Sequence, residues 1–391
     1  MNELVVLPND TERYVSCLNQ YLLDNQTIKQ LKEDLLSADK VLSLAMKQDM
    51  NESLSEYSYA HFTDLDLVYS YIHLETHDDE HKNKNANTKH EYIKDLLQFM
   101  TFASFILTTE EAKGNSVLRL LEKRHIRQYQ DWLKNGSFSY GKKGYAVATR
   151  AKKITIVKGF LNWLFTIEFI EYPLHAIFKK VTINSDELPD RSLSYNEVME
   201  LLTFYKDHPI NHAILLMLAT TGLRVAEIAK AKWSDLYLDT SINGGSYFLK
   251  VKAKGNKDRH AFILPILLES LQIMRKRRGL NDQLNSEDDT YIFVTNKNKP
   301  YDYNYLSNYV VKIIQNTKFK WLVEKQGNVS PHWFRHHFVH HLVVDLGADL
   351  TVVQKTVGHE SRVTTEKYVD KYLSNKQNAG LLLQDINYRV S

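Results

Sequence analysis

The sequence predicts a mainly α-helical protein with one small β-sheet, an α+β chain of two to three domains. Three observations point there. Apolar residues recur at helical spacing through most of the chain, with few glycines or prolines between them. A single strand-turn-strand alternation breaks this pattern between residues 247 and 265. The 391 residues, at about 150 per domain, suffice for more than one core. Hydrophobic residues make up 43% and charged residues 25%, with 14 Gly, 7 Pro and a mean hydropathy of -0.40, which excludes collagen-like, mucin-like and wholly disordered chains. The lone cysteine, Cys17, rules out an intramolecular disulfide and a CxxC zinc site. The most apolar run, residues 213–219, is far shorter than the roughly 20 residues of a membrane span. The N-terminus shows neither a basic leader nor a cleavage pattern, so a cytoplasmic location is expected, with no membrane partner.

Taken in order, residues 11–48 read as helical because Leu18, Leu22, Leu31, Leu35 and Leu42 recur near helical spacing with no Gly or Pro between them. Residues 76–89 are polar and aperiodic and read as a linker. From 90 to about 180 the pattern is helical again. Leu161, Trp163, Leu164 and Phe165 are expected in its core, while Arg150, Lys152 and Lys153 gather at the start of the same helix, where free N-H groups favour a phosphate. Residues 181–193 form a second linker. Ser194 and Glu197 then make a capping box that opens a helix, a buried helix follows over 211–220, and the strand-turn-strand comes next. Helical text resumes over 265–278 and 303–316. The expected domains are an acidic helical extension (1–80), a basic helical domain (85–182) and a C-terminal domain (189–391).

Charge is distributed unevenly. Residues 1–80 hold 16 acidic against 5 basic side chains, whereas residues 113–183 hold 14 basic against 4 acidic. The basic stretch predicts a polyanionic partner, nucleic acid first, and Lys142, Lys143, Arg150, Lys152 and Lys153 are its candidate contacts. The acidic stretch opposes DNA contact and suits a protein partner or packing on the rest of the chain.

Four elements of the last 200 residues carry chemistry: Thr220 to Ile228 around Arg224 and Glu227; Lys252 to Arg259 in the turn; His332 to His337; and Val357 to Tyr368. In their order they resemble the tyrosine recombinase (phage integrase) family: an Arg in a ThrGlyxArgxxGlu element, a hairpin Lys, a HisxxArg pair, a GlyHis, and a Tyr nine residues after that His. The resemblance covers residues from about 85 to 391 and finds no match for 1–80. It implies a helical core-binding domain and a catalytic domain closing on duplex DNA as a C-shaped clamp. It also implies a homo-tetramer on two recombination sites, with a C-terminal segment passed to the neighbour, and transesterification without metal or ATP.

The site residues implied are Arg224, Lys254, His332, Arg335, His359 and Tyr368. Arg224 and Arg335 would bind phosphate oxygens through forked donors and stabilise the charge of the transition state. Tyr368 would attack phosphorus to form a 3′-phosphotyrosyl linkage, with Tyr372 the rival one helical turn on. A phenol of pKa about 10 needs a base, which His332 fits. His359 would donate to a non-bridging oxygen. Lys254 aligns with the general acid, with Lys252 and Lys257 as alternatives. Glu227 either orients an active-site side chain or makes an ordinary helix ion pair. His337, His341 and Asp345 fall at i, i+4, i+8, but packing or DNA-facing histidines are preferred to a metal, and no cofactor is expected. The expected function is site-specific cutting and rejoining of DNA in integration, excision, transposition or dimer resolution. A type IB topoisomerase and a catalytically silent DNA-binding factor are the alternatives.

Overall fold

The computed structural model describes residues 28–76, 83–107, 116–138, 142–182, 191–252, 258–325 and 329–358. Two compact units divide the chain between Glu187 and Leu188. The first contains α1 (Ile28–Leu36), α2 (Val41–Ser53), α3 (Asp64–His73), α4 (Ala86–Ile106), α5 (Lys123–Asn135), a two-residue hairpin β1 (Ser137–Phe138) and β2 (Lys142–Lys143), and α6 (Val147–Thr166).

One apolar cluster runs from Leu31 to Phe178, so the residues before and after 80 fold as one body. The reason is α3, all of whose residues are buried. Its start is held by a reciprocal cap between Thr63 and Asp66, and the Asp64 carboxylate accepts from the Val117 amide (2.8 Å) and the Ser116 hydroxyl (2.5 Å). Burial still pushes the Asp64 pKa above the usual carboxylate value, against the lowering effect of those bonds. Tyr71 and Phe160 pack at 5.3 Å and Tyr59 meets Trp163 edge-on at 5.6 Å, which ties α3 and the segment before it to α6. The helix expected to run unbroken to residue 48 is interrupted after Leu36. There the Tyr69 hydroxyl donates to the Ser37 carbonyl (2.8 Å) and accepts from the Lys40 amide (3.1 Å), satisfying groups that a helix end leaves open. Leu161, Trp163 and Leu164 are buried as expected; Phe165 is 37% exposed and leans on His175.

The second unit contains α7 (Tyr195–Phe204), α8 (Pro209–Thr221), α9 (Val225–Lys230), the antiparallel sheet β3-β4-β5 (Leu236–Asp239, Ser246–Lys252, Asp258–Ile263), α10 (Pro265–Arg277), α11 (Tyr303–Asn316), α12 (Trp321–Glu324), α13 (Pro331–His340) and α14 (Leu350–Val357). The expected capping box is present: Ser194 and Glu197 cap each other's backbone N-H groups and open α7. α8 starts on Pro209, whose missing N-H costs nothing there, and its run from Ala213 to Ala219 lies wholly in the core. The expected strands are β4 and β5, with side chains of β5 alternating out and in; β3 is an addition the sequence did not suggest. Arg275 is fully buried, stacked 4.2 Å from Trp233 and paired with Asp288 at 2.6 Å. No helix among the described residues is long and apolar enough to cross a membrane.

Candidate active site

The site is built where the turn between α8 and α9 meets β5, α13 and the end of α14. α8 ends at Gly222 in a left-handed conformation (φ 59°), and a Cβ there would lie 2.5 Å from the Phe338 ring. The turn places Arg224 at the N-cap of α9. Glu227, one turn on, bonds the Arg224 amide (2.7 Å) and its Nη1 (3.1 Å). On α13, His332 and Arg335 share a face at i, i+3. Arg335 is 2% exposed and donates to the carbonyls of Gly222 (2.7 Å) and Val357. α14, capped at its start by Asp349, ends on Gly358, so the Val357 carbonyl is one of its open C-terminal acceptors.

A residue that the sequence reading passed over completes the network. Arg259 sits on the inward face of β5, donates to Glu227 Oε2 at 2.6 Å and to the Val357 carbonyl. The signal was available: in the out-in alternation of β5, Arg259 falls in step with Ala261 and Ile263, on the face that should be apolar. Two guanidinium groups share the Glu227 carboxylate, and a third, that of Arg335, meets Arg259 at the Val357 carbonyl, which leaves the cluster cationic and suited to an anion.

His332 stands at the surface of α13, yet protein crowds enough of its ring for desolvation to lower its pKa most, followed by the positive charges of Arg335, Arg224 and Arg191. It is neutral at pH 7, the state a base requires. His336 meets it edge-on at 4.6 Å.

His337 and His341 hold the fold together. His337 Nδ1 donates to the Leu193 carbonyl (2.8 Å), and His341 pairs with Asp345 (2.9 Å) while stacking on Tyr195. Among the described residues no cluster suits a metal. Lys254, His359, Tyr368 and the alternatives Lys257 and Tyr372 lie outside the described residues. Lys252, on β4, is tied across the hairpin to Asp258 at 2.5 Å.

In the first unit, the basic candidates separate. Lys143 is exposed on β2, beside Lys142. Lys152 is exposed and paired with Glu91. Lys153 is a correction: it is buried, bonded to Asp95 (2.6 Å) and Gln98 (2.7 Å), and lies over the Tyr145 ring, so its charge is spent inside the core. Arg150 instead lines a groove of about 550 Å³ with Arg127, Lys134, Lys179 and Lys180, which the sequence reading had not selected. Gln130 fixes that wall by bonding both the amide and the carbonyl of Lys179.

The phage integrase family matches residues 191–374, the span that holds this arginine network. Tyrosine recombinase XerA of Pyrococcus furiosus is 30% identical over 241 residues, covering 56% of this chain and 76% of that protein. The chain belongs to the phage integrase family of tyrosine recombinases. Members are DNA strand-transferring, site-specific recombinases. The fold of this tyrosine recombinase is similar to that of the XerH site-specific recombinase bound to its palindromic difH substrate in a post-cleavage complex (TM-score 0.55, 17% identity, 96% of this chain and 99% of that one). It is also similar to a lambda integrase tetramer bound to a Holliday junction (TM-score 0.52, 14% identity, 73% and 72%).

Proposed function

We propose that this tyrosine recombinase cuts duplex DNA by attack of the Tyr368 hydroxyl on a backbone phosphorus. A 3′-phosphotyrosyl bond forms, the bond to the 5′ oxygen breaks, and a second 5′ hydroxyl reverses the step on a new strand. The phenolic proton goes to neutral His332, and Lys254 returns a proton to the departing 5′ oxygen. Arg224 and Arg335 hold the non-bridging oxygens with His359. No bond energy is lost, so rejoining needs no nucleotide.

The observation that carries this reading is the cationic network of Arg224, Glu227, Arg259 and Arg335 beside a histidine held neutral. Preorganised donors of this kind stabilise charge that grows in a phosphoryl transition state. The groove of Arg127, Lys134, Arg150, Lys179 and Lys180 supplies sequence-independent phosphate contacts on the other unit, with Lys142, Lys143 and Lys152 as further grips. A homo-tetramer on two sites, acting in the cytoplasm at the nucleoid on a mobile element or a chromosome dimer, is the assembly we propose.

The test isolates the protein from cells under denaturing conditions and sequences any DNA attached to it, with Tyr368→Phe as control. Attached DNA that shares one junction sequence and vanishes in the variant is expected. Equal, background recovery from both would overturn covalent catalysis.

A further inference from the structure

We propose that Arg259 is a positioning residue that keeps the Glu227 carboxylate occupied from behind, so that Arg224 stays a net cation turned toward the phosphate. The idea rests on the recombinase reading and adds a residue to it.

Glu227 has two oxygens and three donors. Oε1 receives Arg224 Nη1 at 3.1 Å; Oε2 is shared by Arg259 Nη2 at 2.6 Å and the Arg224 amide at 2.7 Å. The shortest bond goes to Arg259, which is 8% exposed, whereas the Arg224 side chain is 37% exposed. Glu227 itself is 8% exposed, so its charge is felt at low effective dielectric. With both arginines present the carboxylate is divided between them. Without Arg259 the same carboxylate would face Arg224 alone, close on it as a bidentate pair and cancel its charge.

The position of Arg259 argues for a purpose beyond packing. An arginine on the inward face of a strand carries a desolvation cost that an apolar residue would not. Its Nε is buried and finds no acceptor among the described residues, a further cost. The surroundings are shaped to admit it: a Cβ at Gly358 would lie 3.3 Å from Nη1. Arg259 and Arg335 also converge on one acceptor, the Val357 carbonyl, so β5, α9, α13 and the end of α14 are pinned together by two side chains.

The test uses the full chain and two measurements. Phenylglyoxal labelling of Arg224, read by peptide mass spectrometry against exposed Arg124 as internal reference, reports whether Arg224 is clamped. In Arg259→Met, labelling is expected to fall by about threefold. Glu227→Gln added to it should restore labelling, and Arg259→Lys should restore part of it. The Tyr368-linked DNA adduct should follow the same order, dropping by about tenfold in Arg259→Met and recovering in the double variant. A merely structural arginine would, on removal, loosen the site and leave Arg224 labelled as much as wild type or more, so the fall in labelling in Arg259→Met is what a structural role does not give. Unchanged Arg224 labelling in Arg259→Met, or no recovery in the double variant, overturns the proposal. If Arg259→Met does not fold, Glu227→Gln alone decides: Arg224 labelling must rise above wild type. A labelling pattern as expected with no adduct from wild type would strike the recombinase reading and leave the coupling standing.

Discussion

His332 shows how neighbours set the chemistry of a residue. Desolvation and three guanidinium groups hold its pKa below the usual 6.5, so protonation is resisted in the folded state. In the unfolded chain it takes a proton near pH 6.5, so the unfolded state binds more protons as pH falls and the stability due to this group declines below about that pH. If His332 is the base, the rate of adduct formation should stay level from pH 8 to about 6.5 and fall only at lower pH. A single-turnover pH profile checks this, and an acidic limb centred above 6.5 would contradict it. Lys153 teaches the opposite lesson. The charge pattern at the start of α6 suggested a phosphate grip, but helical phase turns Lys152 outward and Lys153 inward onto Asp95. Lys153→Met should destabilise the first unit by about 3–5 kcal/mol, because Asp95 is left charged in the core, while Lys153→Met with Asp95→Leu should recover most of it. Chemical denaturation of the two variants measures this.

At the scale of elements, the turn between α8 and α9 is the part that cannot change. Gly222 adopts φ 59°, its missing Cβ makes room for Phe338, and its carbonyl anchors Arg335. Gly222→Ala should cost about 1–3 kcal/mol and lower adduct yield as well, since both arginines hang on this turn. Adding Phe338→Leu should return part of the stability but not the left-handed strain; urea titrations separate the two. α8 itself was legible because a continuous apolar run bounded by Pro209 and Gly222 has one reading. The break between α1 and α2 was not, because no Gly or Pro marks the end of the helix at Leu36. The stop is a hydroxyl from Tyr69, 32 residues away. β3 was likewise hidden: its exposed Tyr237 and Leu238 give no alternation, and only pairing with β4 defines it.

For the whole molecule, residues 28–76 of the acidic N-terminal stretch and the described part of the basic stretch after it share one apolar cluster. Residues 28–76 supply α3, buried throughout, so removing residues 1–76 should unfold the first unit and leave the second, which has its own apolar cluster, intact. Circular dichroism and proteolysis of the truncated chain test this; a truncated protein whose residues 86–178 resist protease would contradict it. The basic groove makes a second prediction at this scale. Replacing Arg127, Arg150, Lys179 and Lys180 by Gln should weaken binding to duplexes of any sequence and reduce the slope of log affinity against log salt by about 3–4, since each lost phosphate contact removes about 0.9.

The sequence by itself determined the class of fold and the family, because helical spacing, a hairpin and the order of the motifs from Thr220 to Tyr368 can be read along the chain. Only the tertiary structure decided which charges are free to act. It withdrew Lys153 into an ion pair, brought Arg127, Arg150 and Lys179 to one groove, and set Arg259 behind Glu227. The physical reason is that a charge does its work through what surrounds it. Burial, partners and dielectric are set by residues distant in the chain, and no spacing rule reports them.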